Sequence, residues 1–204
     1  MKIFKSLVVA ELLYAGTVYA ETPDERFHVN AVYLLNIVPD AHGDGTSIVD
    51  SGGMASFIGY DILPWLSFEA GAIVFDTVNM RQNTGSFVQE THYDVSGFTL
   101  GLKGTTSFAN LFDVWGSIGI YSWKSTFDYE VVYPNFPPIR SSGNDSMSSS
   151  NAYVRLGARI PLGNKITATI ESGYFEFNNL FYDAGGKNTD FSHSCIGLGF
   201  EYKF

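Results

Sequence analysis

Ser192-His193-Ser194-Cys195-Ile196-Gly197-Leu198-Gly199-Phe200-Glu201-Tyr202-Lys203-Phe204 is the last stretch of the sequence. Every second residue from its end is apolar or aromatic: Phe204, Tyr202, Phe200, Leu198 and Ile196. Between them lie Lys203, Glu201, Gly199, Gly197 and Cys195. Side chains alternate across a strand, so one face is apolar and the other is small or charged. Such a strand is stable only as part of a sheet, and the rest of the chain reads as the sheet that closes on it.

Upstream, the same period of two recurs. Phe27, Val29, Ala31, Tyr33, Leu35 and Ile37 share one face, with His28, Asn30 and Asn36 on the other. Ile58, Tyr60 and Ile62 mark a second strand over 54–62, which turns at Leu63-Pro64 into a third carrying Leu66, Phe68, Ala70, Ala72 and Val74, with Glu69 opposite. A fourth strand over 93–104 carries Phe98, Leu100 and Leu102, with Lys103 opposite. A fifth, from Leu111 to about Phe127, sets Val114, Ile118 and Ile120 against Trp115, Ser117 and Tyr121. A sixth over 152–160 sets Val154, Leu156 and Ile160 against Arg155 and Arg159. The seventh begins at Ile166 and sets Ile170 against Glu171. The quoted stretch is the eighth. The connections over 39–53, 77–91, 130–150 and 178–190 read as long polar loops. Those at Leu63-Pro64, 105–110 and 161–164 read as short turns.

Strict alternation of long and short connections around an even number of strands is the rule of transmembrane barrels, whose short turns share one end. The expected fold is therefore all-β: an eight-stranded antiparallel transmembrane barrel of up-and-down topology. In lipid the apolar face points outward and the charged face is enclosed. The enclosed set is Glu69, Lys103, Arg155, Arg159, Glu171, Glu201 and Lys203. With the turn after the sixth strand centred near Gly163, Arg155 lies directly across from Glu171. Eight strands leave an interior that side chains fill, so a plugged or very narrow lumen is expected.

Bulk properties agree. The 204 residues suit one domain, and 16% are aromatic. Mean hydropathy is +0.04, and no apolar run is long enough for a spanning helix. Residues 1–20 read as a signal peptide: Lys2 and Lys5 start it, Leu7 to Val18 form its apolar middle, and Val18-Tyr19-Ala20 precedes Glu21. The barrel domain is then 21–204. The net charge is -9, and it becomes more negative when that segment is removed. Nucleic acid is excluded as a partner, because phosphate contacts need a basic surface. The single cysteine, Cys195, allows neither an internal disulfide nor a cysteine zinc cluster.

The pattern resembles the small outer-membrane barrels related to the transmembrane domain of outer-membrane protein A. The similarity lies in the Gly59-Tyr60 strand, the Pro64-Trp65 turn, Phe68-Glu69-Ala70-Gly71, Glu171, and the terminal Phe200-Glu201-Tyr202-Lys203-Phe204. It implies a bacterial outer-membrane location, assembly through the last strand by the barrel-assembly machinery, and lipid and lipopolysaccharide as neighbours. It also implies roles in envelope integrity, adhesion or small-solute leakage. Larger members carry a peptidoglycan-binding domain after the barrel. The sequence shows none up to Phe204, and Arg159 stands where those proteins place an acid, so neither that anchoring role nor lumen gating is carried over.

Some eight-stranded barrels modify lipid A with a Ser and a His. Here Ser192-His193-Ser194, with Asp190 nearby, is the best local candidate, but strand neighbours point to opposite faces. Cys195 shares the face of His193 and reads as a filler. His28, His42 and His92 have no metal-ligand spacing. Asp40, His42-Gly43-Asp44-Gly45 and Asp50 offer oxygen ligands without the spacing of a calcium loop and read as a solvated turn. No glycine-rich phosphate loop is present. No catalytic residue, metal or cofactor is expected. The leading function is structural and surface-interacting, with a host or surface ligand at the extracellular loops. A low-conductance pore is the alternative, and a lipid A-modifying enzyme a lower one.

Overall fold

The computed structural model describes residues 26–40, 46–49, 52–83, 85–108, 111–134, 138–182 and 188–204. The segment read as a signal peptide lies outside them, as do His42-Gly43-Asp44-Gly45 and Asp50.

Ten strands run in chain order: β1 (Phe27–Asp40), β2 (Thr46–Val49), β3 (Gly53–Leu63), β4 (Leu66–Phe75), β5 (Val78–Asn83), β6 (Val88–Phe108), β7 (Phe112–Tyr133), β8 (Ile139–Pro161), β9 (Ile166–Tyr182) and β10 (Asn188–Lys203). Eight close a ring in the order β1-β3-β4-β6-β7-β8-β9-β10, all antiparallel. The final stretch of the sequence meets the first strand, with Phe200 beside Ala31 and Leu198 beside Tyr33. Closure leaves no sheet edge inside the hydrocarbon layer, the condition lipid imposes on a β-structure.

β2 and β5 are extra to the expected eight. They pair with each other, and β5 pairs with the far part of β6. They occupy the regions 39–53 and 77–91 that read as loops. The larger correction concerns 130–150. That polar, serine-rich stretch reads as a loop because its alternation carries no apolar face. In the fold it belongs to two long strands: β7 runs to Tyr133, β8 begins at Ile139, and the two pair residue by residue from Tyr133–Ile139 down to Asp113–Arg159. A sheet face in water on both sides needs no apolar period, so the periodic signal fails there.

The outward face carries a belt of apolar side chains. On β6, β7 and β8 it comprises the rows Leu102–Ile118–Val154 and Leu100–Ile120–Ala152 and is topped by Phe98, which is 75% exposed. Below it, the short turns bring Leu63, Trp65, Phe108, Leu111 and Leu162 to the surface. Above it, the row Phe98–Ser122–Ser150 marks where hydroxyls replace hydrocarbon.

Candidate functional site: a two-layer lumen

The inward face divides into two layers. Near the short turns lies a connected ring of charges. Arg155 donates to both carboxylate oxygens of Glu171, at 3.1 and 2.9 Å, and lies 3.5 Å from Glu69. Lys103 bridges Glu69 (3.2 Å) and Glu201 (2.9 Å). Arg159 reaches Glu201 at 2.6 Å and Asp113 at 2.7 Å. Lys203, nearer the mouth, stands 3.8 Å from Asp61, which accepts from Ser67. Thus the structure places all seven charged residues of the inward set in one network. It adds three groups that sequence reasoning did not assign to it: Asp61, Asp113 and His28. His28 lies 3.5 Å from Asp61 and 3.8 Å from Glu69. Asp61 and Asp113 sit at strand ends where alternation fades, and His28 was a single residue on a polar face. Their inward parity is the only sequence signal that points to them.

Four cations face five carboxylates here, so the ring nearly neutralises itself. Arg155, Glu69 and Lys103 are fully buried. Buried charges are tolerated only when paired with good geometry, and the bidentate Arg155–Glu171 contact has it. The guanidinium of Arg155 also lies 3.6 Å from the centre of the Phe57 ring. Trp115 flanks both Arg155 and Lys103 at 4.9 Å.

The Arg155–Glu171 register differs from the expected one. Arg155 stands opposite Gly173, and Glu171 opposite Gly157. The turn after β8 is one residue further along than a centre at Gly163, so the pair is diagonal. Long side chains still join across it. Gly157 makes room for Trp115: a Cβ there would strike the indole.

Above the charges the interior becomes aromatic. Phe75 on β4 packs edge-on against Phe175 and Phe177 of β9, both at 5.7 Å. Tyr121 of β7 meets the same two rings at 5.5 Å, and Trp123 meets Phe177 at 5.5 Å. Tyr153 of β8 stacks on Phe175, and Tyr93 lies against Phe127. Val32, Leu34, Ile73 and Val95 fill the gaps between them. This layer spans the bore from β4 to β9 above the charges. The expectation of a polar interior missed it. Its signal was present as loss of alternation: Ala72-Ile73-Val74-Phe75 and Tyr174-Phe175 are apolar on both faces.

His193 enters this upper layer. Its ring packs against Phe75 at 4.8 Å, while Ser194 points outward. The Cys195 thiol is buried and donates to the carbonyl of Gly173 at 3.7 Å. Strand parity therefore separates the Ser192-His193-Ser194 side chains as the sequence reading anticipated. Among the described residues, no group of His, Cys, Asp and Glu is placed to hold a metal ion.

Leu198, Phe200 and Tyr202 of β10 are exposed on the lipid side, and Ile196 and Phe204 partly so.

Residues 7–204 match the family model described as the outer membrane protein beta-barrel domain. Among solved structures, the outer membrane protein OprG from Pseudomonas aeruginosa is similar with a TM-score of 0.55 at 16% identity, covering 87% of this chain and 95% of that one. Neisserial surface protein A follows at a TM-score of 0.48 and 13% identity, covering 87% and 97%. Ail of Yersinia pestis gives 0.47 and 9%, covering 86% and 97%. No curated protein sequence matches significantly. With an all-antiparallel ring of eight strands, an outward apolar belt and an enclosed charge network, the chain belongs to the outer membrane protein β-barrel family and is a bacterial outer-membrane protein.

Proposed function

We propose that this barrel is a surface-interaction protein whose working part is the sheet above the membrane. One observation carries the reading: β6, β7 and β8 do not stop at the belt. From Ser122 to Tyr133, β7 continues for twelve residues beyond the last apolar row, roughly 36 Å along the strand. β8 pairs with β9 only from Tyr153 to Pro161, so among the described residues Ile139 to Ala152 has a strand partner on one side, β7, and an open edge on the other. A free edge presents unpaired backbone donors and acceptors, and natural sheets usually guard such edges with prolines or charges. From Ser141 to Ala152 this edge carries Asp145 as its one charge and no proline. Above the belt, exposed ion pairs link β5 to β6 (Arg81 with Glu90, 3.6 Å) and β8 to β7 (Arg140 with Glu130, 3.1 Å). The pore alternative needs a water path through both lumen layers, and the packing of both weighs against it. In this reading, residues 1–20 are removed on export, β10 is met by the assembly machinery, and envelope lipid is the constant neighbour.

Asp128 and Asn144 are register partners, so residues 129–143 can be replaced by Asn-Gly, which forms a two-residue hairpin turn. The shortened barrel should keep its heat-dependent gel shift. Proteoliposomes carrying it should lose attachment to host-cell monolayers and matrix-coated plates that the full barrel supports. Equal attachment by both forms, or discrete channel openings by the full barrel in a planar bilayer, would overturn the reading.

A further inference from the structure

We propose that a cleft on the outward face of the extracellular sheet receives an arginine side chain of a protein partner. The assignment rests on the reading of this sheet as the binding part of the molecule and names what it binds. Two adjacent cross-strand rows build the cleft. The lower is Arg81–Glu90–Glu130–Ser142 and the upper is Asn83–Val88–Val132–Arg140. Both lie on the face that carries Phe98 further down β6, because side chains keep their parity along a strand. Arg81, Val88, Glu90, Glu130, Val132 and Arg140 line a volume of about 320 Å³.

The order of charges selects the ligand. Glu90 and Glu130 are direct register partners, and like charges set opposite each other on a sheet repel. Each is drawn by one arginine: Arg81 lies 3.6 Å from Glu90, and Arg140 lies 3.1 Å from Glu130. Among the described residues no cation engages both carboxylates. A guanidinium placed between them relieves the repulsion, and its planar fork of donors serves two carboxylates at once. Val88 and Val132, half-buried in the row above, offer hydrocarbon to the stem of such a side chain. The setting selects a protein as its source. Glu130 stands eight positions beyond Ser122, roughly 26 Å along the strand and past the headgroup layer. Small-molecule sites are predominantly apolar and cover most of their ligand. Here four of the six lining residues are charged and exposed. Asn83 and Ser142, at opposite ends of the two rows, are exposed hydrogen-bonding groups that a partner's backbone reaches and a free guanidinium does not. The net charge of -9 steers basic partners toward the molecule.

The test uses the folded full barrel in micelles. The probes are blocked nine-residue peptides of glycine and serine with a central arginine, glutamine or glutamate, and free agmatine. Binding is read from the methyl NMR signals of Val88 and Val132. The arginine peptide should bind, agmatine should bind several-fold more weakly, and the glutamine and glutamate peptides should not bind. Glu90→Gln with Glu130→Gln should weaken the arginine peptide at least tenfold, the scale of one charged hydrogen bond. Arg140→Gln, which frees Glu130, should bind it at least as well as the parent. All three positions are exposed, so the gel shift of the variants should match the parent. No binding of the arginine peptide, unaltered binding by the double glutamine variant, a tenfold loss in Arg140→Gln, equal binding of the glutamate peptide, or agmatine bound as tightly as the peptide would each overturn the assignment. The peptides are read on the barrel without cells, so a cleft that takes no arginine leaves proteoliposome attachment standing, and failed attachment leaves the peptide result standing.

Discussion

Arg155 holds Glu171 through both carboxylate oxygens from a diagonal position across β8 and β9, while its ring of contacts extends to Glu69 on the far wall of the barrel. One buried guanidinium therefore ties three strands together. Arg155→Ala leaves Glu171 buried without its cation and takes one of two cations from Glu69, and should cost about 3–5 kcal/mol of folding free energy, as removal of one member of a buried ion pair does. Arg155→Met with Glu171→Gln should recover only part of the loss, because Glu69 still lacks one of the two cations, Arg155 and Lys103, that hold it. Urea titration of the barrel in detergent micelles, followed by the gel shift, reads both values. A loss below 1 kcal/mol for Arg155→Ala would mean the network is decorative.

Conductance should respond to the two layers together. Breaking the charges alone with Arg155→Ala leaves the rings of Phe75, Tyr121 and Phe177 across the bore. Removing rings alone, with Tyr121→Ala and Phe177→Ala, leaves the charge network. Single-channel recordings should show sustained openings only when both sets of substitutions are combined. Openings from the charge substitution alone would show that the aromatic layer does not seal.

Gly59 and His28 are coupled by space. They are cross-strand partners on β3 and β1, and a Cβ at Gly59 would run into the His28 ring. Gly59→Ala should destabilise the barrel by about 1–3 kcal/mol, the usual cost of overpacking. In a His28→Ala background the same change should be close to neutral. A double-mutant cycle in the micelle assay measures the difference, and equal costs in both backgrounds would refute the coupling.

The free edge of β8 has a spectroscopic signature. In an antiparallel pair, alternate residues bond to a given neighbour. Between Ser141 and Ser150, amides directed at β7 should exchange slowly and those directed at the open side should exchange fast, with a period of two. From Tyr153 onward both sets should be protected, because β9 is present there. Hydrogen-exchange NMR in micelles reads the pattern. Uniform protection along 141–150 would mean that the edge is covered.

Membrane solvation made most of this fold legible in one dimension. Lipid forces every outward side chain of the belt to be apolar, so Phe98-Leu100-Leu102 and Leu198-Phe200-Tyr202 declare strand, parity and face without reference to any partner. The same parity placed Glu69, Lys103, Arg155, Arg159, Glu171, Glu201 and Lys203 on the inward side. Beyond the belt that constraint ends. From Arg140 to Ser150 β8 is largely exposed, with Met147 alone packed partly against the core, so polar residues serve on either side and the strand leaves no periodic trace. Its pairing with β7 is decided by register inherited from the barrel below. Inside, the sequence determined which charges are enclosed but not which ones meet. That depends on the β8–β9 register, shifted so that Arg155 faces Gly173, and on how far each side chain reaches across the bore. The aromatic layer is likewise a tertiary fact. Phe75, Tyr121, Phe175 and Phe177 are far apart in the chain, and only closure of the ring brings them to one height.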